Sequence, residues 1–202
     1  MRYFMFNKPG GCITARKDER HTTVFDYLKA LDTEGLFPVG RLDKDTEGLL
    51  IITDDGHWNE ELMQPGQHVP KKYFFCATNT LSEDAIKRIE SGVEILKGAP
   101  LTSPAKLEVI EEGYYRDIEH RPLYDFPKEL LPIRYNPMVT CGYLTISEGK
   151  KHQVKRMLRS EGCRVIFLRR IQIGNLILDR DLPKGEYREL TPLEKQQCSE
   201  RD

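Results

Sequence analysis

"GRLDKDTEGLLIITDDG", residues 40–56, sets three acidic side chains, Asp43, Asp45 and Glu47, in one short run and follows them with the apolar stretch Leu49–Thr53. Such a stretch, closed by Asp54-Asp55-Gly56, reads as a strand entered from an acidic loop. Acids at alternate positions with glycine at the sixth also imitate the first half of an EF-hand calcium loop. The twelfth position holds Asp54 instead of a bidentate Glu, Pro38-Val39-Gly40 precedes the loop, and a β-rich run follows it, whereas an EF-hand needs a helix on each side. A turn merely decorated with acids is the other reading. The stretch alone leaves open which carboxylate does chemistry.

The flanking sequence supplies the architecture. Arg2–Phe6 is a strand candidate ending in the turn Asn7-Lys8-Pro9-Gly10-Gly11. Thr22 or Thr23 can cap a helix carrying Val24, Tyr27, Leu28 and Leu31, ended by Gly35 and Pro38. After Asp54-Asp55-Gly56 a short helix runs through Trp58, Leu62 and Met63. "KKYFFCAT", residues 71–78, is a strand with Tyr73 near its start, and Ser82 caps a helix with Ala85, Ile86 and Ile89 inward and Gly92 at its end. Strands are expected at Val93–Leu96, Lys106–Ile110, Val139–Ile146 and Cys163–Leu168. A helix is expected over 152–162, with Val154, Met157 and Leu158 inward. Residues 111–137, with prolines at 122, 127, 132 and 137, fit no period and read as a loop insertion. Strands and helices intermixed without a regular βαβ period or a G-x-G-x-x-G indicate an α+β fold.

With 202 residues, the chain is long enough for one sizeable core or two small lobes. At 39% hydrophobic and 31% charged residues it has a globular composition, and no apolar run approaches the roughly 18 residues of a membrane span. The N-terminus is too soon interrupted by Asn7, Lys8 and Pro9 for a secretory signal, so a cytoplasmic location is expected. Five scattered cysteines without C-x-x-C argue against a disulfide framework or a zinc site. The formal charge of −1 hides a local asymmetry: eight Lys or Arg against Glu161 alone between Gly149 and Ile171.

Four motifs then stand in order along the chain: "YFMFNKPGG" (3–11), the acidic stretch at 40–56, "KKYFF" (71–75) and "ISEGKKHQVKRMLRSEG" (146–162). Together they resemble the RsuA-like family of ribosomal RNA pseudouridine synthases, and "LPKGEYRELT" (182–191) is similar to the family's closing segment. The resemblance implies one pseudouridine synthase catalytic domain over 1–202. Its fold would be bipartite, with a mixed, largely antiparallel sheet flanked by helices. No S4-type RNA-binding segment is seen before residue 2.

The implied reaction breaks the N1–C1′ bond of a uridine, turns the uracil and joins C5 to C1′. Nothing is oxidised, so no cofactor is implied, and no metal either. The resemblance assigns Asp43 as the carboxylate that stabilises or attacks the cationic sugar, as carboxylates do in glycosidases. Asp45 and Glu47 become bystanders, solvated or bonded to the turn. Burial raises an aspartate's pKa unless a cation stands beside it, a role the resemblance gives to Lys155. Tyr73 would stack on a uracil flipped from its helix. Arg41, Lys150, Lys151, Arg156, Arg159, Arg169 and Arg170 are the candidate RNA contacts, while His152 lacks partners at ligand spacing and reads as structural. The expected partner is ribosomal RNA or a ribosomal subunit precursor, the large subunit slightly favoured, acted on by a monomer. A non-catalytic RNA-binding or ribosome-assembly factor on the same fold is the alternative, against which the intact trio Asp43, Tyr73 and Lys155 counts.

Overall fold

The computed structural model describes residues 1–63, 69–119, 126–127 and 129–200. Its strands are β1 (Tyr3–Lys8), β2 (Phe37–Val39), β3 (Glu47–Thr53), β4 (Lys71–Thr78), β5 (Lys106–Tyr114), β6 (Met138–Ile146), β7 (Val165–Ile173), β8 (Leu176–Ile177) and β9 (Tyr187–Glu189). The α-helices are α1 (Gly56–Met63), α2 (Glu83–Ser91), α3 (Gln153–Ser160) and α4 (Pro192–Cys198). The chain divides into two compact units, Met1–Lys71 with Arg169–Asp202, and Lys72–Leu168. The α+β class and the bipartite organisation are those expected.

In the first unit the strand order is β7-β3-β1-β9. β1 lies antiparallel to β3 from Tyr3↔Thr53 to Lys8↔Gly48, and antiparallel to β9 on its other side. β3 also pairs antiparallel with β2, and parallel with β7 at Glu47↔Arg169 and Gly48↔Arg170. The sheet is thus mixed and largely antiparallel. Every residue of β3 from Gly48 to Thr53 is buried, which explains an uninterrupted apolar run in place of alternation. Leu49 and Ile51 join Met5, Val39, Trp58, Leu62, Ile173 and Leu176 in this unit's core.

In the second unit the order is β5-β6-β4-β7. Phe75 and Ala77 of β4 form a core with Leu144, Ile146, Ala85 and Ile89 of α2, and Val154, Met157 and Leu158 of α3. Ser82 caps α2 by accepting from the Ala85 N–H at 3.2 Å, and Gly92 ends it at φ +105°. Phe74, next along β4, meets Tyr143 and Phe167 edge-on, and Phe126 stacks on Phe167 with centroids 4.9 Å apart.

Several elements differ from expectation. After Thr23 only one 3-10 turn forms, Val24–Tyr27. The carbonyls of Asp32, Thr33, Glu34 and Leu36 are taken by the guanidinium groups of Arg2 and Arg16, which hold this segment as a loop. Val93–Leu96 is not a strand: Val93 and Thr102 bond each other across a loop instead. β5 continues to Tyr114, so the first four residues of the expected 111–137 insertion are strand, followed by a 3-10 turn at Tyr115–Asp117. Within that insertion residues 120–125 and 128 lie outside the described residues. Among the described residues no helix is long and apolar enough to cross a membrane.

Candidate active site

The acidic loop leaves β2 at Gly40, whose φ of +68° and Met63 Cε, 3.0 Å from where a Cβ would stand, favour glycine. It closes with the Thr46 N–H donating to the Asp43 carbonyl at 3.1 Å. At Gly48, where β3 meets β7, a Cβ would lie 2.2 Å from the Arg170 carbonyl oxygen. The "EGLL" glycine therefore sets how closely the two strands approach.

A buried lysine holds the loop from beneath. Lys8, at the end of β1, is 0% exposed. Its Nζ donates to the carbonyls of Thr46 at 2.9 Å, Pro9 at 3.1 Å and Lys44 at 3.3 Å. Burial pushes its pKa below the ordinary lysine value, against the opposing pull of Cys12, Asp45, Glu47 and Asp43. The Gly11 N–H adds a bond to the Lys44 carbonyl at 2.7 Å, and the Thr14 hydroxyl donates to the Leu42 carbonyl at 2.8 Å while accepting its N–H at 3.1 Å. On this scaffold Asp43 is half-buried and Asp45 exposed. Glu47 departs from the expected solvated bystander: its side chain is 12% exposed, with Lys184 Nζ at 2.7 Å and Arg169 Nη1 at 3.8 Å from the carboxylate.

In the second unit, Tyr73 is half-buried on β4 and packs against the core there. Lys155 and Arg156 are half-buried on α3, whose Val154, Met157 and Leu158 point inward as expected. The start of α3 is fixed by a polar network. Gln153 Nε2 donates to Glu148 Oε1 at 2.6 Å, Gln153 Oε1 accepts the Lys150 N–H at 2.8 Å, and Glu148 Oε1 also accepts the Ser103 N–H at 2.9 Å. Burial pushes the Glu148 carboxyl up, but the Ser103 N–H, Lys150 and Gln153 outweigh it and hold the group below the usual carboxylate range. His152, at the helix entrance, adopts φ +54° and ψ +32°, a left-handed conformation that is costly for a non-glycine residue.

The basic surface is smaller than the charge pattern implies. Arg169 and Arg170 are 6% and 5% exposed, so neither is an open phosphate contact. Arg169 faces Glu47, with Nη2 3.4 Å from the Asn7 carboxamide oxygen, and Arg170 Nε donates to the Leu49 carbonyl at 2.8 Å. A strand covered on both faces buries every second residue as well as its neighbours, whatever their charge. Lys150 is exposed but bound to Glu148 and the Leu101 carbonyl. Arg41, Lys151 and Arg159 remain exposed.

Asp43, Arg41, Arg169 and Arg170 thus belong to the first unit, and Tyr73, Lys150, Lys151, Lys155, Arg156 and Arg159 to the second. Sequence reasoning passed over Lys8, Thr14, Lys184, and Glu148 with Gln153. Lys8 carried a usable signal, since a lysine closing the apolar strand "YFMFNK" must find acceptors if buried. The acidic loop lies between β2 and β3, which removes the helix-loop-helix frame an EF-hand requires.

Three comparisons bear on this arrangement. The family model described as RNA pseudouridylate synthase matches residues 2–160. The chain is 40% identical over 190 residues to a protein of Yersinia pestis named ribosomal small subunit pseudouridine synthase A, spanning 94% of this chain and 69% of that one. It is 37% identical over 190 residues to the Escherichia coli K12 protein of the same name, spanning 94% and 71%. A crystal structure described as a pseudouridylate synthase superposes with a TM-score of 0.76 at 33% identity, covering 98% of this chain and 73% of the other.

Proposed function

Because this chain belongs to the RNA pseudouridylate synthase family, and is therefore an isomerase acting on RNA, we propose that it converts one uridine of small-subunit ribosomal RNA to pseudouridine with Asp43 as its catalytic carboxylate. The observation that carries this reading is the loop itself: a half-buried aspartate on a turn that a fully buried lysine ties down through the carbonyls of Lys44 and Thr46. Such preorganisation is what a carboxylate needs to meet a sugar carbon without reorganising. The lean toward the large subunit is dropped, since both curated relatives above carry small-subunit names.

In this reading the two units make up one catalytic domain. The ionised Asp43 either attacks C1′ or takes the C2′ proton as the N1–C1′ bond breaks. The freed uracil turns and C5 bonds to C1′, displacing the carboxylate in the first route and with the proton returned to C2′ in the second; the C5 proton then leaves and N1 gains one, so atoms balance without any oxidant. Tyr73 stacks on the flipped uracil and offsets part of the few kcal/mol of unstacking. Lys155 serves as the active-site cation. Arg41, Lys151, Arg156 and Arg159 take phosphates, and Arg169 and Arg170 act through Glu47 and Leu49 instead. A cytoplasmic monomer suffices for this chemistry.

Tritium release from 5-tritiated uridine in unmodified small-subunit ribosomal RNA tests the proposal. Wild type should release tritium, Asp43→Asn should release none while binding RNA within about twofold of wild type, and Tyr73→Phe should bind but turn over poorly. Wild-type turnover by Asp43→Asn would end the assignment.

A further inference from the structure

Where β4 begins, against the end of β7 and the end of α4, the first unit gathers two cations and a thiol. The Gly174 N–H donates to the Pro70 carbonyl at 2.8 Å, which brings Lys71 to the end of β7. The Asn175 N–H donates to the Gln197 carbonyl at 2.8 Å, and a Cβ on Gly174 would lie 2.6 Å from the Cys198 carbonyl oxygen, so the end of α4 packs onto the same turn. Arg170, on β7, is 5% exposed. Its Nε donates to the Leu49 carbonyl at 2.8 Å, but its Nη2 is buried with no hydrogen-bond partner among the described residues. Lys71 is half-buried and Cys198 fully buried, and among the described residues no hydrogen bond or ion pair engages the ammonium or the thiol. The three groups feel one another: the Arg170 charge adds to burial in depressing the Lys71 amine, and both cations oppose the burial that pushes the Cys198 thiol up to about 12. Glu200, the acid nearest Cys198 in sequence, is taken by Asn175 Nδ2 at 2.7 Å and pairs with neither cation.

A guanidinium nitrogen without an acceptor and an ammonium beside it, both withdrawn from water, repel each other and leave donors unmatched. Lys71 can shed its proton, or an anion can enter and satisfy both cations. A protonated thiol is a third, weaker donor. We propose that Lys71, Arg170 and Cys198 form a binding site for one small inorganic anion, chloride or a compact oxyanion such as sulfate. Arg170 lies too deep to reach the phosphate of an RNA chain, which restricts the ligand to a free ion. Lys71 opens β4 two residues before Tyr73, so the bound anion fixes the root of the strand that carries that tyrosine. The site goes beyond the pseudouridine synthase reading and does not depend on it, since none of the three side chains is among the reacting groups assigned above.

Thermal melts of the full chain at pH 7 and constant ionic strength, with sodium gluconate replaced stepwise by sodium chloride or sodium sulfate, test the site. Gluconate is too bulky to enter and sets the baseline. For wild type, Tm should rise saturably with one or both anions, by about 5–10 °C at a hundredfold excess over the dissociation constant. Lys71→Met should melt above wild type in gluconate and lack the saturable rise, so its advantage shrinks as the anion is added. Lys71→Arg, which keeps the charge, should retain the rise. Lys97→Met, which removes an exposed lysine of the other unit, is the control for net charge and should respond as wild type does. Above pH 8 the apparent affinity should fall about tenfold per pH unit, as the Lys71 ammonium loses its proton. A rise that is linear in salt and equal in Lys71→Met would be the general effect of excluded anions and would overturn the site. So would an affinity unchanged between pH 7 and pH 10, or no rise with either anion. Failure of wild type to release tritium from RNA would end the reaction assignment and leave these melts to decide the anion site.

Discussion

Replacing Lys8 by methionine keeps the length and apolar stem of the side chain and removes only the ammonium that joins β1 to the acidic loop. Three carbonyls, of Pro9, Lys44 and Thr46, lose their donor at 3.1, 3.3 and 2.9 Å. Hydrogen bonds to a charged group contribute about 1.5–3 kcal/mol each, a gross loss of about 5–9 kcal/mol. Against this stands relief from burying an ammonium that is 0% exposed, whose cost is visible in its lowered pKa. A net destabilisation of about 2–4 kcal/mol follows, and at about 2–4 °C per kcal/mol for a chain of this size Tm should fall by about 4–16 °C. Activity should suffer more than stability. With its underside released the acidic loop can shift by an ångström, and such misplacement costs on the order of 100-fold in rate. Circular-dichroism melts and tritium release, the latter well below the variant's Tm, measure the two effects separately. A Lys8→Met protein melting within about 2 °C of wild type and turning over within about threefold would show that the ammonium neither supports nor places the loop.

Other perturbations have equally definite outcomes. Gly48→Ala should cost about 3 kcal/mol or more in a thermal melt, because its φ is +98° and its Cβ would meet the Arg170 oxygen at 2.2 Å. Gly11→Ala, at φ +91° with nothing within 4 Å, should cost only about 1–2 kcal/mol. Burial, and then the Arg170 charge, push the Lys71 amine down from 10.5 to about 8. The unfolded chain therefore binds more protons between those values, and folding is penalised below about pH 8 and relieved as pH rises toward 10.5. Lys71→Met should accordingly be more stable than wild type by about 1–3 kcal/mol at pH 7, with the gap closing in alkali; an equal gap at both pH values would contradict this. Arg188 holds the Glu194 carboxyl at about 2 instead of 4.5. That contribution is present above pH 4.5 and lost as pH falls toward 2. Glu194→Gln should thus be less stable by about 1–3 kcal/mol at neutral pH and indistinguishable from wild type by pH 2, as read in urea titrations.

Local periodicity carried much of the architecture. β4 spans the residues expected from "KKYFFCAT", and α2 and α3 lie within their expected bounds, because each pairs a recognisable cap or boundary with a face that must be buried. α4 had as clear a signal, Thr191-Pro192 with Glu194 three residues after the cap, and the structure forms that capping box. Its anchorage is distant in sequence: Lys195 Nζ reaches the Tyr3 hydroxyl at 2.6 Å, and Cys198 is buried in the first unit's core. The Pro-rich stretch shows the same limit. Tyr115 and Phe126 are buried, and Phe126 stacks on Phe167, far along the chain, so no window of sequence around 111–137 contains the partner that orders it.

The candidate site separates along the same physical line. Motif order pointed to Asp43, Tyr73 and Lys155, residues whose proposed roles depend on chemical type. What supports them depends largely on backbone groups that have no signature: Lys8 reads three carbonyls and Thr14 reads both polar groups of Leu42, while Gln153 accepts the Lys150 N–H and donates to the Glu148 carboxylate. Any residue type could supply those carbonyls. Arg169 and Arg170 illustrate the converse, since a charge count treats them like Lys151 although β7 buries them at 6% and 5% exposure. A buried cation must be matched by acceptors fixed in place, so Glu47, read from sequence as a bystander, becomes the group that makes Arg169 and Lys184 tolerable beside β3. Glu47→Gln should therefore disturb this end of β3 while leaving the charge of Asp43 in place. Its effect on turnover should follow the loss of stability rather than the loss of a reacting group.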